Sequence, residues 1–152
     1  MKRYITFASL AFVLLQGSMA QTIIKPSVKT KTTFAIVTDT KSYEEAKKEI
    51  DDYRASVEQE GLGTYLVIND WKTPQPIREV LQKLHEDKKN PLEGCVLVGD
   101  IPIPMIRDAQ HLCSAFKMNQ TMDWQRSSVP SDRYYDDFDL KFDYIKQDSL
   151  QA

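Results

Sequence analysis

The sequence predicts a three-layer α/β fold, a mostly parallel sheet with flanking helices. Three observations carry this. Gly94-Cys95-Val96-Leu97-Val98-Gly99-Asp100 is an apolar, valine-rich run bounded by glycines, which reads as a central strand covered on both faces. Two earlier β-branched runs, residues 32–39 and 64–70, have the same character. Two amphipathic helical stretches separate the three runs, and that order with short connections specifies right-handed parallel crossovers.

Taken in order, residues 1–20 read as a secretory signal peptide. Lys2 and Arg3 precede an apolar stretch from Ile5 to Leu15, and Ser18-Met19-Ala20 offers a small-x-small cleavage site. The apolar stretch falls short of the ~20 residues a spanning helix needs, so no membrane span is expected. The mature chain is expected in the periplasm, at the cell surface or outside the cell. Residues 21–31 are polar and read as a mobile leader; residues 32–152 form one α/β unit.

Residues 32–39 make the first strand and end on Asp39. Ser42-Tyr43-Glu44-Glu45 fits a capping box, with Ser42 accepting from the Glu45 amide, so a helix is expected to start there. Tyr43, Ala46, Ile50, Tyr53 and Val57 follow at gaps of three and four, an apolar stripe for the sheet. Gly61 ends the helix, because glycine takes the left-handed geometry of a helix terminus. The second strand ends at Asp70. Thr73 then caps a second helix with Pro74 in its first turn, and Ile77, Val80, Leu81 and Leu84 form its buried stripe.

After Asp100, Pro102 and Pro104 cannot continue a ladder, and the chain leaves the sheet. Ile106, Ala109, Leu112, Cys113 and Phe116 fit one short helix. Residues 134–144 alternate aromatics with acids and fit a solvated β-hairpin. Three parallel strands and two helices leave one sheet edge bare, a route to self-association. The chain therefore reads as the front part of a larger domain.

A net charge of −2 offers no basic face for nucleic acid or an anionic membrane. Export would place Cys95 and Cys113 in an oxidising compartment, where a disulfide is one option and a small buried Cys95 thiol the other. His111 and Cys113 lie two residues apart, and their side chains diverge on a helix, a poor geometry for proton transfer. His85 falls on the polar side of its helix. No phosphate loop, serine elbow, CxxC or HExxH motif is present, so no catalytic unit is complete.

Two sets of acids remain. Asp39, Asp70 and Asp100 end the three strands, and a parallel sheet brings them to one edge, where ligands gather in such folds; aspartate also caps turns there. Asp137, Asp139 and Asp143 are spaced loosely enough to wrap a calcium ion with backbone carbonyls, although the glycine and distal glutamate of an EF-hand are missing.

Several segments together resemble the gingipain-type cysteine peptidases. They are Phe34-Ala35-Ile36-Val37-Thr38-Asp39, Thr73-Pro74-Gln75-Pro76-Ile77-Arg78, Val96-Leu97-Val98-Gly99-Asp100, and Pro130-Ser131-Asp132-Arg133-Tyr134-Tyr135 with the acids that follow. The resemblance implies a caspase-like start to the sheet, close to a flavodoxin-like one, and hydrolysis of a polypeptide substrate by a thiolate with a histidine base. It also implies a contribution of Asp139 and Asp143 to calcium binding. The family's catalytic pair lies on later strands, past the point matching Asp143, so neither His111 nor Cys113 takes those roles. The expected function is thus the amino-terminal part of an exported peptidase domain, inactive alone. The alternative is a non-catalytic exported module that binds through its acidic, calcium-capable surface.

Overall fold

The computed structural model describes residues 21–107, 121–123 and 126–146. The signal-peptide stretch, His111 and Cys113 lie outside the described residues.

The first elements are β1 (Thr22–Ile24), β2 (Thr33–Thr38), α1 (Thr40–Glu45), α2 (Lys47–Gln59) and β3 (Gly63–Ile68). After them come α3 (Gln75–His85), β4 (Leu92–Val98), β5 (Met105–Arg107), β6 (Ser128–Pro130) and α4 (Arg133–Asp136). The main sheet has the order β1-β3-β2-β4, with β3, β2 and β4 parallel and β1 antiparallel to β3. β5 and β6 form a separate antiparallel pair. The fold is mixed α/β with a mostly parallel sheet, as the strand-helix alternation implied.

Strand alternation sends side chains to two helical layers. Ala35 and Val37 of β2 and Val67 of β3 meet Ile77, Val80 and Leu81 of α3, with Trp71 and Tyr135 completing that core. On the opposite face Ile36, Leu66 and Ile68 meet Ile50 of α2. Ile36, Leu66, Ile77 and Leu81 are fully buried, each contributing about 1.5–3 kcal/mol relative to exposure. The Trp71 indole Nε1 donates to the Thr38 carbonyl at 2.9 Å, so its one polar atom is satisfied inside the core.

Several sequence expectations are corrected. The apolar run at β4 is not central among the described strands: β2 and β3 each have a neighbour on both sides, and β4 pairs with β2 alone. Within the stretch expected as a leader, Thr22–Ile24 pairs with Leu66 to Ile68, too short a strand to show as a periodic pattern. Arg54 Nη2 donates to the Lys25 carbonyl at 2.6 Å, and Glu58 accepts from the Ser27 amide at 2.9 Å. Those two buried-side groups of α2 fasten the segment after β1. The first helix begins earlier than its capping box, because Asp39 is the cap and accepts from the Ser42 amide at 2.9 Å. A break at Ala46 then separates α1 from α2. Tyr53 leaves the apolar stripe and is 46% exposed. Pro74, without a side-chain cap, occupies the position expected for Thr73.

Further along, Ile106 lies in β5 and not in a helix. The acid-aromatic stretch is no hairpin: it holds one short helix, α4, followed by irregular backbone.

Candidate functional site

In a sheet ordered β3-β2-β4, the chain leaves β2 toward one neighbour and returns to the other. The crevice beyond the carboxyl ends of β2 and β4 is therefore the switch point at which ligands enter folds of this type. Asp39 and Asp100 stand there. An open depression of about 300 Å³ is lined by Asp39, Lys41, Ser42, Glu45, Asp70, Trp71, Lys72 and Asp100. All three strand-end acids thus meet at one edge, as their positions in the sequence indicated.

The three are not equivalent. Asp39 is buried, while Asp70 and Asp100 are exposed. Asp39 Oδ1 accepts from the Ser42 amide at 2.9 Å and Oδ2 from the Asp100 amide at 2.7 Å. Burial works to raise its pKa, but the hydrogen bonds from Ser42 and Asp100 outweigh it and hold the carboxyl below its ordinary range. Asp39 is therefore a fixed anion that ties the start of α1 to the end of β4. A carboxylate held ionised in this way is a poor proton donor at neutral pH.

The closeness of the two strand ends depends on Gly99. Its φ is +89°, and a Cβ there would stand 2.0 Å from Asp39 Oδ2 and 2.2 Å from Ser42 Oγ. Glycine is required twice over, for the backbone angle and for the space. The sequence showed Gly99 only as the end of an apolar run.

A second constellation was not foreseen. Arg78, on the buried side of α3 and only 9% exposed, sends its guanidinium into residues 133–142. Nη1 donates to the Tyr134 carbonyl, and Nη2 donates to those of Asp137 at 2.9 Å and Leu140 at 3.0 Å. The rings of Tyr134, Phe138 and Phe142 surround it with centroids 5.3, 5.3 and 5.0 Å from Cζ. A planar, permanently charged fork can satisfy several carbonyls and stack on aromatics at once. Its signal in the sequence was an arginine on an otherwise apolar helix face.

Of the three acids considered for calcium, Asp137 has partners of its own. Asp137 Oδ1 accepts from the Leu140 amide at 3.3 Å, and Oδ2 faces Arg133 Nη2 at 3.3 Å. Asp139 and Asp143 are exposed. Among the described residues no group of three or more His, Cys, Asp or Glu is gathered as a cation site, so Asp137, Asp139 and Asp143 are not brought together.

Cys95 is a free thiol on β4, half-buried against the core that contains Tyr135. Burial pushes its pKa up to about 11, with Asp136 and Asp132 adding to the effect. His85 donates from Nδ1 to the Leu92 carbonyl at 2.9 Å and stacks at 5.2 Å on Phe138. It is engaged at the end of α3 remote from the strand-end acids.

Compared with family models, with curated proteins and with solved structures, the chain matches none. The described residues define an α/β protein with a mostly parallel four-stranded sheet. No described helix is long and apolar enough to cross a membrane.

Proposed function

We propose that this chain carries the amino-terminal part of an exported gingipain-type cysteine peptidase domain and supplies its scaffold, not its chemistry. One observation carries the reading. β4 has the composition of a strand covered on both faces, yet among the described residues only β2 pairs with it, and residues 94–98 stay half-buried. No proline or lysine interrupts residues 94–98; the exposed Glu93 and the register shift beside it are confined to the start of the strand. Such an edge suits a further strand. The parallel sheet between helical layers agrees with the resemblance seen in the sequence.

In this reading a polypeptide substrate is cut by a thiolate and an imidazole on strands beyond those described. Cys95 keeps its proton at neutral pH and His85 is bonded to a backbone carbonyl, so neither is assigned a catalytic role. The DNA following the Ala152 codon is expected to encode apolar strands ending on a histidine and a cysteine. The purified chain is expected to show no alkylation-sensitive cleavage of an unfolded protein substrate. A downstream sequence without such strands, or thiol-dependent cleavage by this chain alone, would overturn the proposal.

The depression at the switch point favours a second reading, an exported module that binds through its acidic surface. Glu45, Asp70 and Asp100 are exposed there beside Lys41 and Lys72. A calcium-dependent rise in melting temperature, lost in Asp70→Asn/Asp100→Asn, would favour this reading over the first.

A further inference from the structure

We infer that residues 133–142 form a strap that opens as a unit from the sheet, that Arg78 is its latch, and that the strap governs access to the thiol of Cys95. This inference is independent of whether the domain belongs to a peptidase.

The strap stands apart energetically. It adds no strand to the four-stranded sheet, and after α4 its backbone is irregular. Segments with few ladder hydrogen bonds open at lower free energy than the strands beside them, and Tyr135 is the one side chain of the strap buried in the core. Here one side chain from outside the strap gathers more of its attachments than any other; Tyr134 also donates through its hydroxyl to Gln75 Oε1, and Phe138 lies 5.2 Å from the His85 ring. Three carbonyls spread over seven residues, Tyr134, Asp137 and Leu140, converge on the Arg78 guanidinium. The Tyr134, Phe138 and Phe142 rings converge on it too. Attachments that share one partner are lost together, so the strap detaches cooperatively.

Beneath it lies β4. Tyr135 is buried in the same core against which Cys95, Tyr134 and Phe138 pack. Asp132 and Asp136 are near enough to act electrostatically on the thiol. Tyr135 also donates through its hydroxyl to the Pro102 carbonyl, just beyond the end of β4. Lifting the strap removes this cover and leaves β2, β3 and β4 paired. The Cys95 thiol then reports the opening.

The test uses the Cys113→Ser chain, in which Cys95 is the only thiol. Its rate of reaction with a soluble aromatic disulfide is measured across sub-denaturing urea. The sheet is followed in parallel by circular dichroism. The expected result is a labelling rate whose urea dependence is well below that of global unfolding. Arg78→Lys, which keeps the charge but loses the fork, should raise the rate about tenfold with the sheet still folded. Phe142→Ala, which removes one ring from around Arg78 and keeps the guanidinium, should raise it in the same direction. It stands in as the deciding variant if Arg78→Lys does not fold. Labelling that tracks global unfolding in the parent chain would overturn the inference. So would rates in both variants that rise no more than their loss of global stability explains.

Discussion

The Arg78 guanidinium donates from Nη2 to the Asp137 carbonyl at 2.9 Å, joining α3 to a segment 59 residues later. The acceptor is a main-chain atom, so the bond does not depend on the Asp137 side chain. Replacing Asp137 with asparagine should therefore cost only the partly exposed ion pair with Arg133, under about 1 kcal/mol, whereas Arg78→Met should cost about 1–3 kcal/mol, the usual cost of losing charged hydrogen bonds. The loss is bounded because the freed carbonyls can reach water. Urea titrations of both variants check the contrast.

Gly99 and Gly61 both have positive φ, +89° and +94°, but their surroundings differ. An added Cβ at Gly61 meets nothing within 4 Å, whereas at Gly99 it strikes Asp39 and Ser42. Gly61→Ala should cost about 1–2 kcal/mol, the backbone penalty alone. Gly99→Ala should cost more than that, because the Asp39 carboxylate must leave its two amide donors. Thermal melts of the pair separate the two terms.

Asp39 and Glu58 both have carboxyl pKa values held down in the folded chain. Burial opposes this in each. For Asp39 the hydrogen bonds from Ser42 and Asp100 prevail, and for Glu58 those from Ser27 and Thr64 with the nearby Arg54 charge. A carboxyl with a lowered folded pKa stabilises above its unfolded value, ~3.9 for Asp and ~4.3 for Glu, and that stability is lost as pH falls through the folded value. Stability should therefore decline below about pH 4. The slope should flatten in Asp39→Asn, as urea midpoints measured between pH 2 and 6 would show.

Alkylation of Cys95 in the Cys113→Ser chain should be slow at pH 7 and should rise through about pH 11. Asp136→Asn should bring the midpoint down, because the carboxylate beside the thiol disfavours its ionisation. Iodoacetamide rates across that range test both statements.

Much of the architecture was legible from periodicity. The stripe Ile77, Val80, Leu81 on α3 and the buried runs of β2 and β3 follow from spacing alone, since local pattern decides which face is covered. The meeting of Asp39, Asp70 and Asp100 followed from parallel topology. What stayed hidden depends on partners distant in sequence. Asp39 displaced Ser42 as helix cap because it also serves the amide of Asp100, 61 residues away. The acid-aromatic stretch alternates like a strand, but its rings turn toward an arginine on α3. β4 reads as central because composition registers apolar neighbours above and below it, not hydrogen-bonding neighbours at its sides.

The antiparallel pairing of β1 with β3 has a directional consequence. On that side, Thr22 to Ile24 occupy the rim of β3 from Leu66 to Ile68, and Thr30 Oγ1 accepts from the Gly63 amide at the other end of the strand. β3 is thereby engaged at both of its ends, and the rim on that side passes to β1. The two rims of the described sheet are therefore unequal in reach, three residues of β1 on one side and seven of β4 on the other.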